Sequence, residues 1–237
     1  MKKLIRRVLP VKIIKLIIFF LKGHKHESYS QEGEDMILRR ILEKKDSKDI
    51  FYIDVGAHHP KRFSNTYYFY KRGASGINID AMPGSMNLFN KIRPNDINIE
   101  KPISDKKEVL TYYAFNEPAL NGFSKELSEF RNDKNNDYKI IFKKKIESST
   151  LDDVLNEHID KNKEIDFLSI DVEGFDFKVL KSLDLTVYKP NLILIEMLKS
   201  SFENIKEDEI YLYLKKHQYC LFSKCMNTVI FRKVIDA

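Results

Sequence analysis

The stretch FYIDVGAHHP, residues 51–60, is the part of this chain that decides its fold. It is a short apolar run with an acid, Asp54, near its end and a glycine, Gly56, directly beyond. This pattern is typical of a buried parallel strand that leads into a tight turn. Ligands of open α/β sheets bind beyond the carboxyl ends of the strands, so the stretch predicts a binding crevice for a nucleotide-like molecule here.

A second stretch, IDFLSIDVEG at residues 165–174, repeats the same design. Its apolar run ends in Asp171, and Glu173 and a glycine follow. If both runs are strands of one parallel sheet, Asp54, Gly56, Asp171 and Glu173 meet at one edge of that sheet. The alternative is that both are ordinary core strands whose acids cap the following helices.

Strand-like and helix-like periodicities alternate along the rest of the chain. We predict parallel strands over residues 51–55, 77–80, 97–99, 165–171 and 192–196, with a C-terminal hairpin over 219–222 and 228–231. Residues 109–115 and 138–146 are also rich in β-forming side chains, and the polar residues 116–137 between them predict a long surface loop with a short helix. The predicted fold class is α/β: a doubly wound, mostly parallel Rossmann-like sheet with a C-terminal antiparallel hairpin.

Two helix starts carry capping signals. Ser28 and Gln31 have capping-box spacing ahead of an apolar stripe that ends near Leu42. Thr150 precedes a predicted helix over residues 151–158 and is the expected N-cap of that helix.

Composition and charge exclude several classes of protein. With 237 residues, 43% of them hydrophobic, the chain can form one well-packed domain. Its two cysteines, Cys220 and Cys225, fit neither a disulfide framework nor a zinc site and indicate a cytoplasmic protein. Eight cations and no acids fall within residues 1–26, so the remaining chain carries a net charge of −2 rather than the +6 of the whole. A slightly acidic domain disfavours nucleic acid as the substrate.

The N-terminal segment, residues 1–26, is distinct from the domain expected over residues 27–237. Clustered aliphatic side chains alternate with cations, and the longest apolar run is six residues, against the roughly 20 that a spanning helix needs. We predict a basic amphipathic helix whose residues 1–22 contact an anionic membrane surface, which would place the protein at the inner face of that membrane. The alternatives are that this helix packs on the domain or on a partner chain, or that the segment is a secretory signal or a membrane span.

Four motifs in order resemble the FkbM family of S-adenosylmethionine-dependent methyltransferases. They are SQEGED at residues 30–35, DVGA at 54–57, LDDVL at 151–155 and IDVEG at 170–174, and the resemblance covers roughly residues 28–232. The family commonly has Asn and Gly where this chain has His58 and Pro60. The resemblance implies O-methylation, often of a hydroxyl group on a sugar, glycan or polyketide, with S-adenosylmethionine as the methyl donor.

The resemblance also implies which residues contact the methyl donor. Gly56 would let the backbone approach the methionine moiety, and Asp54 would bind nearby polar groups or the ammonium group. Asp80, at the end of the second strand, would accept both ribose hydroxyls unless it is a plain helix cap. The remaining candidates are Ser104 and Asp105 for the adenine amino group and Gln31 as a residue that closes over the donor, with turn formation and helix capping as their alternatives.

Methyl transfer to a hydroxyl group requires a proton acceptor near the reacting oxygen. The residues that topology places closest are Asp171, Glu173, His58 and His59. Asp, Glu and His together could also bind a divalent metal, but no ligand spacing in the sequence supports one, so we predict no metal.

Two other functions remain open at this stage. An NAD-dependent sugar oxidoreductase would share the fold, although no GxGxxG motif follows the first strand. A non-catalytic protein at the membrane periphery would explain the basic segment but not the acid-tipped strands.

Overall fold

The computed structural model describes residues 13, 26–133, 137–198 and 200–234 as an α/β fold. Its strands are β1 (Phe51–Val55), β2 (Ser75–Asp80), β3 (Ile97–Glu100), β4 (Val109–Phe115), β5 (Ile140–Glu147), β6 (Phe167–Ile170), β7 (Leu192–Glu196), β8 (Tyr219–Lys224) and β9 (Thr228–Lys233). Its helices are α1 (Glu34–Ile41), α2 (Tyr67–Tyr70), α3 (Ser85–Ile92), α4 (Lys125–Arg131), α5 (Leu151–His158), α6 (Asp176–Lys181) and α7 (Glu209–Lys216), with short 3-10 turns at Ser47–Asp49, Pro118–Leu120 and Ile205–Glu207.

Seven of the strands form one sheet in the order β3-β2-β1-β6-β7-β9-β8. β3, β2, β1, β6 and β7 are parallel, whereas β9 runs antiparallel to β7 and pairs with β8 in a hairpin. The predicted fold class, a mostly parallel sheet with a C-terminal antiparallel hairpin, is confirmed. The chain leaves the sheet after β3 and returns at β6 beside β1, so the strand order reverses there and a crevice opens between the ends of β1 and β6.

Alternate residues of the central strands pack on the two faces of the sheet. Ile53 and Val55 of β1 lie in the cluster that includes α5, α6 and α7, while Tyr52 lies in the cluster that includes α1 and α2. All five residues of β1 are buried. Helices on both faces explain why β1, β6 and β7 read as continuous apolar runs.

A buried polar network lies under the carboxyl half of β1. Arg93 is fully buried, and its Nε donates to Asp96 (2.8 Å), its Nη2 to the Tyr52 hydroxyl (2.8 Å) and its Nη1 to Thr66 Oγ1 (3.0 Å). Thr66 in turn donates to Asp54 Oδ2 at 2.9 Å. Asp54 is therefore held inside the protein by its neighbours, and burial raises the pKa of its carboxyl group even though Arg93 and these hydrogen bonds lower it in part.

One local prediction differs from the structure, at the start of α1. No Ser28–Gln31 capping box forms: α1 begins at Glu34 after Gly33, whose φ of 89° only glycine adopts readily, and the Ser28 and Ser30 hydroxyls donate to Asp35 instead. Residues 116–133 contain the short helix expected there, α4, together with a 3-10 turn, and they lie between β4 and β5, which make a separate two-stranded sheet. The predicted N-cap Thr150 does accept a hydrogen bond from the Asp153 amide.

The predicted basic helix falls almost entirely outside the described residues, which include only Ile13 from the first 25 positions. Among the residues that are described, no helix is both long and apolar enough to span a bilayer.

Candidate active site

A cavity of about 430 Å³ opens at the carboxyl ends of β1, β2, β6 and β7. Its floor contains residues at or just past the end of each strand: Gly56, Asp80, Asp171 and Glu196. Its roof comes from the insert between β4 and β5, defined here as residues 116–139, which contributes residues 117–123, Arg131 and Tyr138. The segment predicted as a surface loop with a short helix therefore forms one wall of this cavity.

Asp80 lies at the end of β2 and is fixed by two backbone amides. The His58 amide donates to Oδ2 (2.8 Å) and the Met82 amide donates to Oδ1 (2.7 Å). A carboxylate has about four acceptor positions, so the two amides do not fill them all. Burial raises the pKa of Asp80, and the two amide donors lower it in part.

Gly56 is required by the packing of the strand ends. Its φ is 84°, and a Cβ atom at this position would lie 1.7 Å from the backbone oxygen of Asp171. A side chain cannot fit there whatever occupies the cavity. The close approach of β1 and β6 is enough to require glycine at this position, and the role of Gly56 beside the methionine moiety stays a prediction.

Three carboxyl groups meet on the other side of the cavity. Asp171, Glu173 and Glu196 each offer one oxygen, and the three oxygens lie within 4.8 Å of one another. Oε2 of Glu173 and Oε2 of Glu196 are buried and lack a hydrogen-bond partner among the described residues. Oxygens this close repel one another when ionised, so together they favour a proton or another cation between them.

The pKa values of these groups are raised. For Asp171 and Glu196 the causes are burial first and then the neighbouring carboxylates, and for Glu173 the cause is burial, offset in part by Arg131. Asp171 is exposed at the cavity, and the protein around it still desolvates its carboxyl group. Near neutral pH the cluster therefore holds less negative charge than three free carboxylates.

The turn that presents Glu173 is held by Asp176. The carboxylate of Asp176 accepts the Val172 amide on Oδ1 (3.0 Å) and the Gly174 amide on Oδ2 (3.0 Å). Burial raises the pKa of Asp176 to about 7, although these amides favour its charged form. Glu173 has a φ of 55°, which is uncommon for a residue with a side chain and is typical of functional turns.

Two ion pairs tie the insert to the strand ends. Nη2 of Arg131 lies 2.6 Å from Oε2 of Glu173, an ion pair without hydrogen-bond geometry, and both side chains are largely buried. Arg62, in the loop after β1, binds both oxygens of Glu117 at 3.0 and 3.3 Å. The insert is therefore anchored at both sides of the cavity.

His58 and His59 occupy different surroundings. His58 lines the cavity, and its buried Nε2 has no hydrogen-bond partner in the part of the chain that the structure describes. Burial together with the charge of Arg62 lowers the pKa of His58 to about 4, so the ring is neutral at pH 7. His59 does not line the cavity, and its Nδ1 accepts the amides of Lys61 and Arg62.

Of the other predicted donor-contacting residues, Gln31 lines the cavity. Asp54, Ser104 and Asp105 are not part of its lining: Asp54 belongs to the buried network of Arg93, Ser104 is buried, and Asp105 is exposed. The structure thus brings together Gln31, Gly56, His58, Asp80, Asp171 and Glu173.

Sequence reasoning missed Glu196 and Arg131. Glu196 ends the apolar run LILIE at residues 192–196, the same pattern that singled out Asp54 and Asp171, so its signal was present. Arg131 lies in the polar stretch between the two β-rich segments and has no distinguishing motif; only the path of the insert brings it to Glu173.

The chain resembles several solved structures at low sequence identity. A methyltransferase FkbM from Methylobacillus flagellatus KT shares 14% identity with a TM-score of 0.46, and the comparison covers 78% of this chain and 44% of that one. A proposed RNA methyltransferase, PH1948, from Pyrococcus horikoshii shares 12% identity with a TM-score of 0.44 over 95% of this chain and all of that one. This chain thus spans less than half the length of the FkbM structure.

The family assignment comes from the sequence. No curated protein matches the chain. The methyltransferase FkbM domain, however, matches residues 54–221, well over half of the chain and all of the strand ends that form the cavity floor. The chain therefore belongs to the FkbM family of methyltransferases.

Proposed function

We propose that the protein is an S-adenosylmethionine-dependent O-methyltransferase that acts on a hydroxyl group of a sugar or of a surface-glycan intermediate. The observation that carries this proposal is one cavity with a ribose-type acceptor, Asp80, at one end and three carboxyl groups at the other. The match to a methyltransferase domain favours methyl transfer over the hydride transfer of an oxidoreductase.

The residues present fit S-adenosylmethionine. Asp80 has acceptor positions beyond those that the two amides fill, and the carboxyl cluster offers a positively charged molecule Oε2 of Glu196, which is buried without a partner among the described residues. Bound here, the donor would supply a methyl group that is already activated by its sulfonium charge. The protein then has to align the acceptor oxygen and exclude water, and the insert with its two ion pairs covers the cavity for that purpose.

The proton of the acceptor hydroxyl would pass to a residue of the cavity. Asp171 and Glu173 are the candidates at the carboxyl cluster, and the neutral ring of His58 is a third, since its unpartnered Nε2 can accept a proton. His58 is the weaker base of these candidates, because its lowered pKa disfavours protonation.

Titration calorimetry with S-adenosylmethionine and S-adenosylhomocysteine tests the proposal by measuring donor and product binding. Asp80→Ala is expected to weaken both by about 1–3 kcal/mol, the cost of losing a charged hydrogen-bond partner. Glu157→Ala, an exposed acid outside the cavity, is the control and should bind like the wild type. Unchanged affinity in Asp80→Ala would remove Asp80 from the site.

The acceptor class is tested by release of S-adenosylhomocysteine over a panel of free sugars, nucleotide sugars and glycan fragments. Turnover with any of them supports the proposal. A protein that binds the donor but methylates only proteins or nucleic acids would contradict it.

Residues 1–22 are proposed to attach the enzyme to an anionic membrane surface on its cytoplasmic side. Each cation near such a surface contributes about 1 kcal/mol at most, and salt screens this attraction. Vesicle flotation at low and high salt, with and without residues 1–25, tests the attachment. Full-length protein that ignores anionic vesicles at low salt would contradict it.

A further inference from the structure

The two strands of the small sheet, β4 and β5, have very different surroundings. Residues 112–115 of β4 are buried, whereas residues 141–145 of β5 are all exposed. β5 pairs with β4, and no other strand in the described part of the chain pairs with it. β5 therefore presents side chains on both of its faces, together with one backbone edge, to its surroundings.

The exposed residues 141–145, called the β5 surface below, combine apolar and cationic side chains. Ile141 is 62% exposed and Phe142 is 45% exposed. The three positions that follow are lysines, and none of the three belongs to an ion pair within the described residues. Lys143 lies over the ring of Tyr113, with its Nζ 4.9 Å from the ring centre. The β5 surface therefore carries three positive charges that no acid of the described chain neutralises.

A further exposed aromatic side chain lies close to the start of β5. Phe130 is 78% exposed and precedes Asn132 by two residues, and the Asn132 side chain accepts the Ile140 amide at 2.8 Å. The end of α4 is therefore joined to the start of β5. Arg131 and Tyr138, from the same part of the insert, line the cavity. The β5 surface thus lies beside the wall that the insert gives to the cavity.

The composition of the β5 surface disfavours several kinds of partner. Lysines on an edge strand can serve to prevent pairing with other strands, but exposed Ile141 and Phe142 have the opposite effect. Pairing with the β5 strand of a second copy would bring two rows of lysines together, and like charges on facing strands are destabilising. A soluble polyanion would pair with the lysines and leave the apolar side chains in water. A surface that offers negative charge and apolar material together matches all five residues.

An anionic bilayer is such a surface. Apolar and aromatic side chains enter the boundary between headgroups and acyl chains, while long lysine side chains reach the charged headgroups. We propose that the β5 surface is a membrane-contacting surface of the folded domain that binds anionic phospholipid. This contact is separate from the attachment proposed for residues 1–22, and it holds the insert wall of the cavity toward the bilayer.

Tryptophan fluorescence tests this contact locally, because the chain has no native tryptophan. Phe142→Trp places one reporter on the β5 surface, and Phe222→Trp on β8 is the matched control, since Phe222 is 43% exposed. Full-length protein is mixed at low salt with vesicles of phosphatidylcholine and phosphatidylglycerol. We expect the emission of Phe142→Trp to move to shorter wavelengths and to be quenched by brominated acyl chains. The emission of the control should not change, and vesicles of phosphatidylcholine alone should change neither protein.

Removal of the lysine charges gives a second measurement. Each cation near an anionic surface contributes about a factor of five in affinity, so glutamine at positions 143–145 in the Phe142→Trp protein should lower vesicle affinity by about 100-fold at most. The control makes the same change of net charge elsewhere and should cause a much smaller loss. It replaces three other exposed lysines with glutamine: Lys206, Lys215 and Lys216.

Every result supports or overturns the proposal. If vesicles bind the protein but leave the emission of Phe142→Trp unchanged, attachment occurs through another segment and the proposal is wrong. It is also wrong if vesicles do not bind, if the two triple variants lose affinity equally, or if dextran sulfate shifts the emission and vesicles do not. Should Phe142→Trp fail to fold, Ile141→Trp replaces it with the same expectation. Methyl transfer to a soluble acceptor is measured separately, so failure here leaves the proposed methyltransferase activity standing.

Discussion

Two acidic regions lie on neighbouring strands, and they differ in whether their charges are satisfied. Under β1, the carboxylate of Asp96 accepts from Tyr52, Gly76, Asn78 and Arg93, and Asp54 accepts from Thr66. At the ends of β6 and β7, Oε2 of Glu196 is buried without a partner among the described residues, and Oε2 of Glu173 has only the ion pair with Arg131.

This difference indicates that the carboxylates under β1 stabilise the fold, whereas those at the ends of β6 and β7 are candidates for binding. A buried polar network whose carboxylates are paired rigidifies a core, whereas buried carboxyl groups left unpaired indicate a place where a ligand can complete them. Asp54 and Asp171 look equivalent in the sequence, yet the first is a member of the paired network and the second lines the cavity. The following predictions test that division, from the largest expected effect to the smallest.

Asp171→Asn should lower the rate of methyl transfer about 10²–10⁴-fold, the usual loss when a proton acceptor is removed. The free energy of unfolding should stay the same or rise, because one of three mutually repelling carboxylates is gone. The measurement is release of S-adenosylhomocysteine with an acceptor that the wild type methylates, and urea unfolding of the same preparation. Asp54→Asn is the matched control variant. An equal loss of rate in that protein would show that the paired network and the cavity carboxyl groups do not have separate roles.

Arg93→Met should destabilise the fold by about 3–5 kcal/mol, since it leaves the buried carboxylate of Asp96 without its cation. Urea unfolding measures this change. Donor affinity of the folded fraction should be close to that of the wild type, because Arg93 does not line the cavity. A loss below 1 kcal/mol would show that the network does not depend on this ion pair.

Glu196→Gln should stabilise the protein more at pH 8 than at pH 5, with a difference of about 1–2 kcal/mol. The folded state raises the pKa of Glu196 above its unfolded value, so the folded protein keeps a proton that the unfolded chain has lost, and wild-type stability falls as pH rises above about 4.5. The variant lacks this group, whereas His58 and the other titrating residues are common to both proteins. If Glu196→Gln changes the free energy of unfolding by the same amount at both pH values, the charge of the cluster is neutralised by something other than a proton on Glu196.

Arg62→Met should cost less than about 1 kcal/mol of unfolding free energy, even though Arg62 binds both oxygens of Glu117. The two side chains are 47% and 32% exposed, and water screens such pairs. Urea unfolding in low and high salt checks this value. A cost near that of Arg93→Met would show that anchoring the insert matters as much as the buried network.

Much of the fold and part of the site could be predicted from local patterns. Apolar runs such as residues 51–55 and 192–196 identify strands buried on both faces, and Thr150 identifies a helix start through its capping hydroxyl. Start positions that depend on tertiary contacts were harder to predict. Ser28 and Ser30 bind Asp35 rather than cap a helix, because the chain folds back so that Asp35 also accepts the Tyr29 amide.

What the sequence determined by itself is the sheet, its parallel core and the edge at which the cavity opens, because these follow from the period and length of apolar runs and from glycines beside acids. Only the tertiary structure decided which acids face that cavity. Whether a carboxylate at a strand end is paired depends on partners far along the chain: Arg93 and Thr66 reach Asp54, and Arg131 arrives from the insert to meet Glu173. Glu196 carries the same local signal as Asp54, and their opposite surroundings arise from packing between distant segments, which no local pattern encodes.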